Sequence, residues 1–358
     1  MKNKMLLLMA AMAVFLKISA QDSDTKVILI TLDGYRWQEL FTGADPLLIG
    51  NKDYVHEMDA LKEAFWRETP EERREALMPF FWAQVSKMGQ LHGNRTLGSK
   101  VNLTNTMWFS YPGYNEILTG TADDKNIRSN DKIENPNTTI LELYNNTPEG
   151  KGKVAAFGSW DVFPYIINEE RSGIPVNAGY EKAKGEDLTE REKMLNDIQR
   201  QAPIIWESVR LDVFTHNYAL EEMKKNHPKM VYISYGETDD FAHGGFYDFY
   251  LQAANRTDSM IHELWDFTQQ DDFYKDQTVF IITTDHGRGT EPLDTWRSHG
   301  ADIKGADQVW MVTFGKGIKP TGEIKTEEQL YSNQVAPTIL KKLKVALPTE
   351  MMGQPLKD

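Results

Sequence analysis

Five short runs of aliphatic and β-branched residues punctuate the chain, at residues 27–32, 153–157, 230–235, 278–284 and 309–314. Each is almost continuously apolar rather than alternating, and longer amphipathic stretches separate them. Strands buried on both faces read this way, so the pattern predicts an α/β fold with a mostly parallel central sheet sandwiched by helices. Residues 57–87 are rich in Glu, Arg, Phe and Trp, with Pro70 and Pro79 as interruptions, and predict a helical insertion over about residues 45–90. Its aromatic residues Phe65, Trp66, Phe80, Phe81 and Trp82 recur at helical spacing and are expected in the core rather than lining a cleft. Residues 169–185, broken by Gly173, Pro175 and Gly179, predict a loop or a second small insertion. Near the end, Ser332 caps an amphipathic helix that runs to Leu343. No repeat or linker divides residues 21–358, which read as one catalytic domain.

The N-terminus has a different character. Lys2 and Lys4 precede an apolar run over residues 5–15, then Ile18-Ser19-Ala20 meets the polar Gln21-Asp22. This predicts an export signal over residues 1–20 and a periplasmic or secreted protein. The run is too short to span a bilayer, so no stable membrane anchor is expected. Removing Lys2, Lys4 and Lys17 with no acid takes the net charge from −13 to −16. So acidic a chain does not draw polyanions through its overall field, which excludes a nucleic-acid-coating role and leaves any phosphate to be held locally. With no cysteine, there are no disulfides, thiolate ligands or thiol nucleophile, and any metal must sit on oxygen and nitrogen.

The apolar runs end in chemistry. Asp33, Ser159, Asp239 and Asp285 each lie just after one of them, and ligands of such sheets gather beyond the carboxyl ends of the strands. Asp239 and His243 are four residues apart between Gly236 and Gly244-Gly245, so a loop or a helix's first turn can aim both at one ion. Asp285 and His286 would face opposite ways on a continuing strand, but Gly287 and Gly289 let the backbone turn. Carboxylate and imidazole suit zinc, with manganese or iron compatible. Ser110, two residues before Pro112, marks a helix start where backbone N–H groups favour an anion. Taken alone, such a serine reads as an ordinary N-cap.

Together the motifs resemble the alkaline phosphatase superfamily, in particular its type I phosphodiesterase and nucleotide pyrophosphatase branch. Thr31-Leu32-Asp33-Gly34, Ser110-Tyr111-Pro112 with Thr119-Gly120, Glu237 through His243, Thr284-Asp285-His286-Gly287 and His299-Gly300 match in order. The resemblance implies two divalent metal ions, zinc (Zn²⁺) favoured. Asp239, His243 and His299 would hold one; Asp33, Asp285, His286 and the oxygen of Ser110 would hold the other. It further implies that Ser110 is the nucleophile and forms a phosphoseryl intermediate with a small phosphorylated substrate. The expected activity is phosphate-ester hydrolysis; a phosphomonoesterase or a phosphoryl-group transferase is the alternative, and a binding protein that keeps the metals is a more remote one.

Departures from the family narrow the substrate. Phosphodiesterases of this type place Asn and His where this chain has Gly113 and Tyr114, leaving Asn115 or Asn130 to supply an oxyanion donor. Sulfatases carry an arginine four residues after the nucleophile, and Tyr114 stands there instead. Monoesterases of the group set Lys and Arg after the next core strand, whereas residues 157–164 contain no cation. A diester is therefore slightly preferred, with Asn130, Trp160 as a stacking surface and Arg288 as substrate-binding candidates; Arg297 and Arg171 are alternative cations. His56, His92, His216, His227 and His262 fit no motif and are expected at exposed or helix-terminal positions.

Overall fold

The computed structural model describes residues 25–357, so the expected export signal lies outside the described residues. The strands are β1 (Lys26–Leu32), β2 (Gly89–His92), β3 (Ser99–Asn102), β4 (Val154–Gly158), β5 (Val176–Ala178), β6 (Met230–Tyr235), β7 (Thr278–Thr283), β8 (Gln308–Val309), β9 (Met311–Gly315), β10 (Gly322–Glu323) and β11 (Glu328–Tyr331). Eight form the main sheet in the order β10-β2-β9-β7-β1-β6-β4-β5, and β11-β3-β8 form a small second one. β1 pairs in parallel with β6 and β7, and β4 in parallel with β6.

Both faces of the main sheet are covered. Ile28, Ile30 and Leu32 of β1 enter one core with Tyr218, Tyr250 and Leu264 from the helices Asp212–Asn226 and Tyr247–Gln270. Val27 and Leu29 enter the other with Tyr111, Tyr114 and Ile117 from the helix Ser110–Thr119 and Val335 and Ile339 from Val335–Leu343. The period-two split of β1 is why its sequence is continuously apolar.

Between β1 and β2 the chain forms the helices Trp37–Thr42, Met58–Phe65 and Pro70–Leu77 and a π-helical turn at Phe81–Val85. Thr69 and Glu72 close a capping box on the third helix, and Asp258 accepts from the N–H groups of Phe80 (2.8 Å) and Phe81 (2.9 Å). Phe65, Phe80, Phe81 and Trp82 are buried in the core rather than lining a cleft.

Two expectations are corrected. The run 309–314 is not one strand: it breaks at buried Trp310, whose indole N–H donates to the Tyr35 carbonyl at 2.8 Å. Val309 then belongs to the small sheet, while β9 runs antiparallel to β7 and β2. Apolar periodicity carries neither a strand's direction nor a change of sheet. Residues 169–185 are not simply a loop, because they include the helix Glu169–Ser172 and the edge strand β5.

Candidate active site

Asp33 follows β1, Asp285 follows β7, and Asp239 sits in the helix Glu237–Gly244 that follows β6, so three neighbouring strands deliver three carboxylates to one rim. That helix sets Asp239 and His243 one turn apart on one face. Gly34 turns with φ +57°, where a Cβ would lie 2.8 Å from Asp239 Oδ1 and 2.9 Å from Arg288 Nε. Its missing side chain is what allows the β1 and β6 ends to close.

Two compact ligand groups result, Asp33 with Asp285 and His286, and Asp239 with His243 and His299. Within each, the donor atoms lie within 4.8 Å of one another. In the first, which is buried, His286 Nε2 lies 3.3 Å from Asp33 Oδ1 and 3.5 Å from Asp285 Oδ2. Its Nδ1, 2.9 Å from the Gly287 carbonyl, is placed to donate there, leaving the Nε2 lone pair toward the acids. In the second, the Nε2 atoms of His243 and His299 converge to 2.9 Å, with Asp239 Oδ2 3.2 Å from His243. The groups adjoin, since the rings of His286 and His299 are 4.0 Å apart.

The electrostatics call for cations. Burial, and next the charge of Asp239, push the Asp33 carboxyl well above the ordinary range; burial and then Asp33 do the same to Asp285. Burial opposes ionisation of Asp239 too, but Arg288, His243 and His299 outweigh it and hold the group well below that range. Burial and the neighbouring His286 push His299 down to about 2, leaving a neutral imidazole. Each buried acid has one oxygen bonded: Asp33 Oδ2 accepts from Tyr114 (2.8 Å) and Asp285 Oδ1 from the Gly34 N–H (3.0 Å). The others, Asp33 Oδ1 and Asp285 Oδ2, are buried without a partner, as is His299 Nδ1. Orphaned carboxylate oxygens beside neutral imidazole fit a pair of divalent ions.

Ser110 is the first residue of its helix and is buried, with Oγ 3.5 Å from His286 Nε2. No side chain caps this helix from Phe109; instead Asn130 Oδ1 accepts from the Tyr111 N–H at 3.0 Å. That places the expected substrate residue Asn130 beside the nucleophile. Gly113 explains one departure from the family pattern: a Cβ there would lie 2.2 Å from the Asp285 carbonyl oxygen, so no asparagine fits. Trp108, two residues before Ser110, takes φ +54°, a strained value for a bulky side chain.

Other expected site residues go elsewhere. Arg288 is corrected as a substrate cation, because its fully buried side chain is ion-paired to Asp239 and donates to the carbonyls of Gly34 (3.1 Å), Arg297 (2.8 Å) and Asp239 (3.1 Å). Arg171 is bound to Glu142 and to the carbonyls of Asn135 and Asn137. Arg297 stays exposed and lies across Gly245, where a Cβ would be 3.1 Å from its Cδ. Asn115 is buried and donates to the Thr121 carbonyl, while Ser159 turns from the rim to Asp212 (2.6 Å). Half-buried Trp160 sits just past β4, edge-on to Phe163 at 6.2 Å. The five unassigned histidines each face a carboxylate, and His216 and His92 are buried rather than exposed. Tyr114, noted in the sequence only as a departure, is the site residue that motif matching missed. Nothing local signals its contact with Asp33, 81 residues away.

Known proteins place this geometry in a family context. Residues 208–347 match the family model described as the metalloenzyme superfamily. A 2,3-bisphosphoglycerate-independent phosphoglycerate mutase of Brugia malayi is 29% identical over 133 residues, 37% of this chain and 24% of that protein. The chain thus spans about a quarter of that relative's length. The solved structure of alkaline phosphatase PafA superposes with a TM-score of 0.60 at 11% identity, covering 93% of this chain and 98% of its own. The lipoteichoic acid synthase LtaP from Listeria monocytogenes superposes with a TM-score of 0.57 at 14% identity, covering 93% and 76%. The fold is therefore alkaline phosphatase-like, and the match to the metalloenzyme superfamily model spans the motifs from Glu237 to Gly300. Among the described residues no helix is long and apolar enough to cross a membrane.

Proposed function

We propose that this protein is an exported hydrolase of phosphate esters, phosphodiesterase-like and preferring diesters to monoesters, that acts through Ser110. The observation that carries the reading is a pair of adjoining acid-and-imidazole groups, one of which meets a serine hydroxyl at a helix N-terminus, with Oγ 3.5 Å from His286 Nε2. Asp33, Asp285, His286 and Ser110 Oγ would hold one divalent ion and Asp239, His243 and His299 the other. Zinc is favoured by that donor set. Bound there, the ions supply Lewis acidity that lowers the serine pKa and offsets charge on the entering and leaving oxygens.

The chain's own residues supply the rest. The positive end of the helix that begins at Ser110 favours the anionic phosphoryl group there; the Tyr111 N–H is taken by Asn130, the Gly113 N–H by the Phe109 carbonyl, and Pro112 has none, so the Ser110 N–H is the first-turn donor left for a phosphoryl oxygen. Asn130, anchored through its Oδ1, keeps its amide NH₂ for the same oxygens. Ser110 Oγ, its proton given up to water, forms a bond to phosphorus as the bond to the leaving alcohol oxygen breaks, and that oxygen takes up a proton from water. Water then attacks the phosphoseryl group, releasing the phosphate product and restoring the hydroxyl. Arg288 and Arg171 are committed to structural pairs, and Lys132, which reaches the end of β4, is paired with Asp161 at 2.7 Å, which supports the diester preference.

The test is hydrolysis of bis-p-nitrophenyl phosphate, p-nitrophenyl phosphate and p-nitrophenyl sulfate by zinc-loaded protein, with Ser110→Ala and Asp239→Asn. The diester should turn over fastest, both variants should lose activity, and acid quenching should trap phosphate on Ser110. Full activity in both variants overturns the reading. A second reading, transfer to an alcohol, is favoured by the likeness to LtaP, a protein named as a synthase. Product partitioning between water and added glycerol separates the two.

A further inference from the structure

A file of buried hydroxyls leads from the middle of the sheet to Asp33. Thr31 in β1 and Ser234 in β6 are register partners, and Tyr232 lies two residues before Ser234 on the same face. Thr31 Oγ1 donates to Ser234 Oγ at 2.9 Å, Ser234 Oγ donates to the Tyr114 hydroxyl at 3.1 Å, and that hydroxyl donates to Asp33 Oδ2 at 2.8 Å. Thr31 having spent its one proton on Ser234, the 3.0 Å contact with Tyr232 must run from the tyrosine to Thr31. Every hydroxyl donates once and every intermediate member accepts once, so the four bonds point one way, toward the carboxylate. Aligned bonds of this kind polarise one another in a dry setting.

From this we infer that Tyr114 is the positioning residue of the buried ligand group: its hydroxyl holds Asp33 in one rotamer and leaves Oδ1 as the atom offered to a cation. Asp33 Oδ1 accepts no hydrogen bond and faces His286 Nε2 at 3.3 Å, while Thr238 fixes the same residue's carbonyl with a 2.6 Å bond from its hydroxyl. The ring of Tyr114 is itself immobilised, edge-on to Phe163 at 4.8 Å and fully buried. Tyr114 therefore links the helix that carries Ser110 to the strand end that carries Asp33. The same residue sets the nucleophile's helix and the buried ligand group in register. The inference rests on the two-ion reading above.

The experiment is competition titration of zinc against a chromophoric chelator, on wild type and Tyr114→Phe, with kcat and KM for bis-p-nitrophenyl phosphate at limiting and excess zinc. Tyr114→Phe should weaken one of the two ions by about ten- to a hundredfold and leave the other unchanged, as loss of an outer-shell partner does. At limiting zinc, kcat should fall with KM nearly constant, and excess zinc should restore it. Tyr114→Phe strands the Ser234 donor, so Tyr114→Phe/Ser234→Ala is measured alongside as the variant that moves the stranded donor to Thr31, one bond farther from Asp33. Two zinc ions bound by either variant with wild-type affinity overturns the positioning role alone. Fewer than two bound by the wild type overturns the two-ion reading and this inference with it.

Discussion

The two ligand groups differ in how their negative charge is met. Asp239 lies against Arg288, beside a histidine whose side chain is 46% exposed, so its charge is partly balanced before any ion arrives. Asp33 and Asp285 are buried and, among the described residues, no arginine or lysine is bonded to them, and their protonation is favoured by that enclosure. One group is thus an open, pre-balanced end and the other a closed, uncompensated one. The contrast teaches where the stabilising effect of metal is greatest, namely the closed group, and where substrate and solvent have access, namely the open one.

The largest expected effect is at the hydroxyl beside the closed group. Ser110→Ala should lower diester turnover by on the order of 10³-fold or more while leaving zinc binding at the open group intact. Steady-state rates with a zinc titration check both halves. Next, Asp285→Asn should lose the closed-group ion altogether, whereas His243→Ala should weaken the open-group ion and leave Asp239 paired with Arg288. Metal analysis after dialysis distinguishes them, and equal losses would erase the contrast.

A pH series sharpens it further. Raised folded-state values at Asp33 and Asp285 mean the metal-free fold holds more protons than the unfolded chain, whose carboxyls titrate near ~4. Their contribution to stability is therefore full below that value and is lost as pH rises through the raised ones. Asp239 has the opposite sign: its stabilising pair is present at neutral pH and is lost on acidification through its lowered value. Asp239 stays ionised at both pH values, so the raised pair alone makes the drop in Tm caused by chelation greater at about pH 8 than at about pH 5. Thermal melts with and without chelator measure it, and a drop independent of pH would show that the closed group is already compensated. The smallest effect is expected for Asn130→Ala, which removes one helix-cap bond and one polar contact. A fall in kcat/KM of about tenfold with a stability loss of ~1 kcal/mol is expected from kinetics and melts.

How much of this was legible in advance follows from the range of the interactions. The apolar runs around Val27, Val154, Met230 and Thr278 show as strands because burial on both faces is written residue by residue. The ligand residues stand out because chemistry at a strand's end is local in sequence and each motif carries its own turn glycine. Arg288 could not be placed the same way. A guanidinium next to Asp285-His286-Gly287 is equally suited to substrate or to structure, and only the approach of Asp239, 49 residues earlier in the chain, decides between them. Trp310 likewise looks like one more apolar residue until Tyr35, 275 residues away, claims its indole N–H.

By itself, then, the amino-acid sequence determined the four strands β1, β4, β6 and β7 at the centre of the sheet, the acids and imidazoles of the motifs that follow three of them, and the absence of any thiol chemistry, because these depend on residue type and short-range pattern. Only the tertiary structure decided the direction of β9, the pairing that removes Arg288 from the substrate's reach, the choice of Asn130 over Asn115 beside Ser110, and the line of hydroxyls ending on Asp33. Those outcomes depend on which distant groups share a buried space. There a polar atom must find whichever partner the packing of the sheet and its helices brings within about 3 Å.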